Sequence, residues 1–290
     1  MNYAEHLLKN LFVMASIVEA RDPYTGGHLW RVSQYSRMLA EEGGLPSTDV
    51  ARIALGGFLH DLGKISVPDA VLNKPDKLTS DEYEISKTHS EIGNNLLSDH
   101  PLAELVRSAI LSHHEMPDGR GYPQGLSGDQ ISVDASIVGI CDAFDAMTST
   151  RPYRKGMPIE KALDIIQTNL GSQFHAVWGE RFVGLGKAGK LEQIVGHSEP
   201  DVALQHCPSC GPTVTVTRHH LDGANVYCRQ CGGEAAVKRE GARISISLTG
   251  RRGTIKNLKP EIDNGLIDDL VRESYKYLEL SGLTVRSQLS

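Results

Sequence analysis

The sequence has no run of about 18 or more apolar residues, so no helix is expected to cross a membrane. Its start also lacks a basic segment leading into an uninterrupted apolar core. MNYAEHLLKNLFVMASIVEA instead carries a helical stripe (Leu7, Leu8, Leu11, Met14, Val18) broken by Glu5, His6 and Lys9, so a secretory signal is not expected. An excess of positive charge is missing too: the formal net charge is −6 in 290 residues. That balance gives no electrostatic basis for wrapping a nucleic-acid duplex or clinging to an anionic membrane. Cysteine is sparse, with five residues. Without an export signal they are expected as thiols or metal ligands of a cytoplasmic protein, not as disulfides.

Strand-like runs are absent up to about residue 195, and helical periodicity fills that span. The stripes predict helices at 4–20, 27–42, 48–60, 81–98, 102–113, 132–147 and 159–169, with weaker helical pattern to about 190. Pro46-Ser47-Thr48-Asp49 and Asp99-His100-Pro101 punctuate helix starts, and Gly63 follows a helix end. The texture then changes. Short β-rich pieces are predicted at Thr213 to Thr217, at Asn225 to Tyr227 and on the alternation Ile244, Ile246, Leu248. A basic turn (Arg251, Arg252, Lys256, Lys259) leads to a final amphipathic helix near 261–280, apolar at Leu266, Ile267, Leu270, Val271 and Leu278, which Gly282 can end. The expected class is mainly α: a helical bundle over 1–197, a small β-rich module over 198–250, and a basic turn with a C-terminal helix over 251–290.

Polar residues fall in unusual places within the helical span. His28 shares a stripe with Val32, Tyr35 and Leu39. His60 and Asp61 end the apolar segment ARIALGGFLHD, and Lys64 follows Gly63. His89 lies on DEYEISKTHSEIG. His113 completes the stripe Leu102, Leu105, Val106, Ala109, Ile110, with His114 beside it, and Asp142 lies on the stripe of Ala135 and Val138. Any one of these alone reads as a satisfied core or rim residue. Seven together do not, because each buried imidazole or carboxylate without a partner costs several kcal/mol, on the order of the desolvation penalty. Metal coordination satisfies them jointly. Nitrogen and oxygen donors without thiolate suit Fe, Mn, Zn or Ni, and two ions sharing a carboxylate would use all seven. Such a pair is suited to phosphoester hydrolysis.

His60-Asp61, with His28 upstream and Asp142 downstream, resembles the signature of the HD superfamily of metal-dependent phosphohydrolases. The strings RDPYTGGH, LHDLGKISVPD, HHEMPDGRGYP and DAFDAMTSTRPYRK resemble its HD-GYP branch, across roughly residues 15–190. Members of that branch are typically bacterial cyclic di-GMP phosphodiesterases. The resemblance implies one metal held by His28, His60, Asp61 and Asp142. A second would be held by His89, His113 and His114 with Asp61 bridging, and Fe or Mn is the expected metal. Lys64 would stand near the scissile phosphate as electrostatic stabiliser and proton donor. Arg151 and Arg154 match positions that contact ligand phosphates, a task for which forked guanidinium donors suit better than lysine. Tyr122, in the DGRGYP loop closing that side of the pocket, would contact substrate. Two positions depart from the family pattern. Tyr24 stands where some members carry a Glu used in a three-metal site, so two ions are expected here. His175 stands where the family tends to place Asp, and is read as structural.

CPSCG at 207–211 and CRQCG at 228–232 leave 17 residues between the pairs. That spacing fits one tetrahedral zinc on Cys207, Cys210, Cys228 and Cys231, in a ribbon with too little core to fold without its metal. Cys141 is read as packing, and His219-His220 as exposed.

The leading expectation is a two-metal phosphodiesterase converting cyclic di-GMP to linear pGpG, with GMP as a further product. Two alternatives stay open: hydrolysis of another cyclic dinucleotide or a mononucleotide, and a weakly catalytic cyclic di-GMP receptor whose ribbon recruits a protein partner. Dimerisation through the N-terminal helix is also left open.

Overall fold

The computed structural model describes residues 2–22, 26–150, 154–241, 243–259 and 262–280. Its helices run in chain order as α1 (Tyr3–Glu19), α2 (His28–Glu42), α3 (Ser47–Leu59), α4 (Asp69–Leu72), α5 (Ser80–Lys87) and α6 (His89–Leu96). They continue with α7 (Ala103–Ser112), α8 (Val133–Thr148), α9 (Ile159–Thr168), α10 (Ala176–Lys187) and, after the β region, α11 (Asn264–Leu280). Local chemistry sets several starts. Asn2 accepts from the Glu5 amide while the Glu5 carboxylate accepts from the Asn2 amide, and Thr79 and Glu82 repeat this box ahead of α5. Ser132 caps α8 by accepting from the Ala135 amide.

The single helix expected over 81–98 is instead two. Thr88 Oγ1 donates to the Ile85 carbonyl at 2.7 Å, and His89 Nδ1 bonds the Ser86 carbonyl at 2.7 Å. Side chains that capture carbonyls compete with the helical ladder, and the break at Thr88 starts α6 on a buried His89.

One apolar core joins α1, α2, α3, α7, α8, α9 and α10 through residues such as Leu11, Phe12, Tyr35, Leu59, Ile110, Phe144 and Phe182. Ile267, Leu270 and Val271 of α11 enter the same core. Lys9 and Asp268 pair at 2.6 Å, and Arg37 reaches Glu273 at 3.1 Å. The apolar stripe of α1 thus meets a helix from the far end of the chain.

Between them lie β1 (His197–Glu199), β2 (Val202–Ala203), β3 (Gln205–His206), β4 (Thr213–Val214), β5 (Asn225–Tyr227), β6 (Gly233–Glu240) and β7 (Arg243–Arg252). They form antiparallel pairs β1–β2 and β3–β4 and a sheet ordered β5–β6–β7. The sequence pattern missed β6, whose EAAV segment has little strand preference and is fixed by pairing on both sides. Arg251 and Arg252 also extend β7, so only Lys256 and Lys259 lie in the turn expected there. Val202, Val214, Val216, Val226, Ala235, Val237 and Ile244 make a separate small core with Cys207 and Cys228. Among the described residues, no helix is long and apolar enough to cross a membrane.

Candidate metal centres

Two glycines let the ligand-bearing elements approach. A Cβ on Gly63 would stand 1.8 Å from the His89 carbonyl oxygen, so the turn after His60-Asp61 presses directly on α6. A Cβ on Gly139 would stand 2.3 Å from the His113 carbonyl oxygen, so α8, which carries Asp142, presses on the end of α7. Any side chain at either point would force these elements apart.

Their convergence brings seven side chains together. His28 Nε2 lies 3.3 Å from His60 Nε2, 3.4 Å from Asp61 Oδ2 and 3.4 Å from Asp142 Oδ1. His60 Nε2 lies 3.4 Å from Asp61 Oδ2. On the other side of the same carboxylate, Asp61 Oδ1 stands 3.6 Å from His89 Nε2, which is 3.4 Å from His113 Nε2. Donor atoms of His28, His60 and Asp142 lie within 4.8 Å of one another, and so do those of His89, His113 and His114.

The outer ring nitrogens decide what the inner ones can do. His28 Nδ1 bonds Asp145 at 2.8 Å, His60 Nδ1 the Gly57 carbonyl at 2.8 Å, and His89 Nδ1 the Ser86 carbonyl at 2.7 Å. His113 Nδ1 bonds the carbonyls of Ala109 and Ile110 at 2.9 and 3.1 Å. Carbonyls and carboxylates only accept, so each Nδ1 carries a proton and each Nε2 is the ring nitrogen turned toward the centre. That is the orientation a metal-ligating histidine needs.

Charge agrees with this. Burial opposes ionisation of Asp61, but Lys64 and His60 hold it well below the usual carboxylate range. Burial pushes His113 well below the ordinary imidazole value, helped by His114 and His60, and pushes His114 down to about 3. Burial also works against His60, yet Asp61 and Asp142 outweigh it and pull that imidazole up to about 10. Ionised carboxylates, the neutral imidazoles of His113 and His114 and a protonated His60 form a pocket in which a divalent cation would take the place of that proton, and the donor set fits such cations.

Lys64 Nζ donates to Asp61 Oδ2 at 2.5 Å, on the carboxylate between the two groups. The Tyr122 ring stacks on His114 at 4.6 Å between centroids. The Arg154 guanidinium donates to the carbonyls of Ala146 and Met147 at the end of α8. Arg151 and Tyr24 lie outside the described residues.

A model of the HD domain matches residues 12–176, a span that contains all seven convergent side chains. The chain belongs to the HD domain family. Over 187 residues the chain is 39% identical to a cyclic di-GMP phosphodiesterase of Thermotoga maritima, covering 64% of this chain and 51% of that protein. A cyclic di-GMP phosphodiesterase response regulator of Xanthomonas campestris is 40% identical over 185 residues, 63% of this chain and 48% of its own. A 3'3'-cGAMP-specific phosphodiesterase of Vibrio cholerae is 40% identical over 176 residues, 60% of this chain and 37% of its own. The chain thus spans about half or less of the length of these relatives.

Several residues that organise this HD centre were not singled out from the sequence. Asp145 is 1% exposed and takes the Arg31 guanidinium in a fork, Nε at 2.6 Å and Nη2 at 3.0 Å, while holding His28. Arg31 also donates to the carbonyl of His197 at 2.7 Å, which ties the first strand of the β region to the support of His28. Arg21 clamps the turn after Lys64 through the carbonyls of Lys64, Ile65 and Val67. Buried Glu115 accepts the amides of Gln124 and Leu126 and so folds the DGRGYP loop back on the histidine pair. The signal was spacing: Asp145 follows Asp142, and Arg31 follows His28, by one helical turn.

Outside the HD span, Cys207 and Cys231 Sγ lie 3.7 Å apart, and Cys210 and Cys228 Sγ 3.4 Å apart. A disulfide would bring sulfurs to about 2.05 Å. A tetrahedron with metal–sulfur bonds of about 2.3 Å has edges of about 3.8 Å. The Gly211 amide donates to the Cys207 carbonyl and the Gly232 amide to the Cys228 carbonyl, closing two matching turns at positive-φ glycines. This four-thiol cluster fits one zinc ion. His206 is not among its donors, and His219 is exposed.

Proposed function

We propose that the chain is a metal-dependent phosphodiesterase of the HD-GYP branch that hydrolyses cyclic di-GMP to pGpG and onward to GMP. The observation that carries this reading is the two-sided reach of Asp61, with Oδ2 facing His28 and His60 and Oδ1 facing His89. In this reading His28, His60, Asp61 and Asp142 hold one divalent ion, and His89, His113 and His114 hold the other with Asp61 shared. Fe or Mn suits these donors. Bound divalent ions supply the Lewis acidity that neutralises a phosphodiester anion and makes water nucleophilic near neutral pH.

The chain's own side chains do the rest. Lys64, held on Asp61, stands where it can stabilise charge on the phosphate and give a proton to the departing ribose oxygen. Asp145, with Arg31 behind it, keeps His28 in one tautomer. Tyr122 packs over His114 and is assigned to contact substrate, and Arg151 and Arg154 are assigned to ligand phosphates. Cys207, Cys210, Cys228 and Cys231 are assigned to one structural zinc of a ribbon over 198–250, between an HD-GYP unit at 1–197 and a C-terminal segment at 251–290. Relatives named for cyclic di-GMP and for 3'3'-cGAMP keep the second cyclic dinucleotide as the competing substrate.

The test is incubation of Mn(II)- or Fe(II)-loaded protein with each dinucleotide and chromatographic separation of products. Linear dinucleotide and mononucleotide are expected from the wild type. His60→Ala and Asp61→Ala should yield neither while keeping a helical circular-dichroism spectrum. Tight binding of cyclic di-GMP without turnover would make the protein a receptor instead.

A further inference from the structure

One wall leads from the histidine cluster to solvent through three side chains. His114 stacks on Tyr122, with ring centroids 4.6 Å apart and planes at 28°. The Lys87 ammonium lies 5.5 Å from the centroid of the Tyr122 ring and 5.5 Å from that of Tyr83. Both are cation–π distances. Lys87 is further held by Glu84 at 2.7 Å, and Tyr83 is 50% exposed.

Nothing about the core requires a large aromatic at position 83. Tyr83 and Lys87 sit one turn apart on α5, a helix that buries none of its residues. Exposed Ile85 on the same helix is an ordinary isolated surface apolar residue. Tyr83 differs because its ring shares a cation with Tyr122, and Tyr122 touches the cluster. Burial, with Tyr83 and the carboxylates of Asp142 and Asp61, pushes the Tyr122 phenol up.

We infer that Tyr83, positioned by Lys87 beside Tyr122, is a platform on which a purine base of the cyclic dinucleotide stacks while a phosphodiester occupies the Asp61 centre. The inference rests on the phosphodiesterase reading and adds a specificity-determining residue to it. Aromatic platforms accept every base, since each has a π-face. The platform therefore favours base-bearing diesters over base-free ones and does not separate guanine from adenine. Lys87 is a positioning residue that holds the two rings in register.

The test uses the Mn(II)-loaded 290-residue chain, cyclic di-GMP, the corresponding cyclic diribose diphosphate lacking both bases as a base-free diester, and a cyclic dinucleotide carrying 2-aminopurine, whose fluorescence is quenched by stacking. Tyr83→Ala should raise KM for cyclic di-GMP about tenfold with kcat within about twofold, a size set by base–aromatic stacking. It should leave hydrolysis of the base-free diester unchanged and abolish the quenching, while Tyr83→Phe restores both. An unchanged KM and quenching in Tyr83→Ala, or an equal loss on the base-free diester, would overturn the platform. A wild type that cleaves the base-free diester but no cyclic dinucleotide would instead sink the phosphodiesterase reading, and the platform with it.

Discussion

Asp145 holds two partners at once, the His28 ring and the Arg31 fork, and each depends on the other. Burial opposes its charge, yet Arg31 and His28 keep it far below the usual carboxylate range. Asp145→Asn removes the charge that orients the ring and should weaken Mn(II) binding by about 10- to 100-fold, read by titration calorimetry. Arg31→Met leaves a buried carboxylate short of its main cation and should cost about 3–5 kcal/mol in urea unfolding. The pH dependence has a definite sign. His60 is drawn up to about 10, so near neutrality a proton competes for the Nε2 that would ligate. Mn(II) affinity should therefore rise between about pH 6 and 9, with proton release on loading; a flat profile would contradict that assignment. Seven of the convergent residues were legible because each sits on an apolar stripe or at a helix end. Asp145 and Arg31 were not, since nothing in a linear sequence says which buried acid meets which buried base.

At the scale of elements, the helices were readable from period and caps, and the breaks between them less so. The split at Thr88 came from two side chains taking backbone carbonyls, a local competition that periodicity does not register. Strand β6 was invisible for the opposite reason: its pairing partners, not its composition, make it a strand. The cysteine turns could be anticipated from spacing alone, because two C-x2-C knuckles fix their own geometry. Their small core of mostly valine and alanine side chains buries little surface, so a metal bound by the four thiols should supply most of the stability. Cys228→Ser, or a chelator, should expose the remaining thiols to a colorimetric reagent while helical circular dichroism persists. If those thiols stay protected without metal, the β region folds by packing alone.

Across the whole molecule, α11 closes against α1 and the helical core, bringing the two ends of the described chain together. Leu270→Ala should lower the stability of the helical body by about 2–5 kcal/mol in urea unfolding, as for a buried leucine truncation, and leave the cysteine cluster's metal content unchanged. The sequence alone determined the helical class, the inward-facing imidazoles and carboxylates and the paired thiols, because periodicity and spacing are properties of a local chain. Only the tertiary structure decided that Asp145 joins His28 to Arg31, that Arg31 links the β region to the support of His28, and that α11 joins the first core. Those are long-range choices, fixed when separate apolar faces close on one another and glycines such as Gly63 allow backbone contact no side chain would permit.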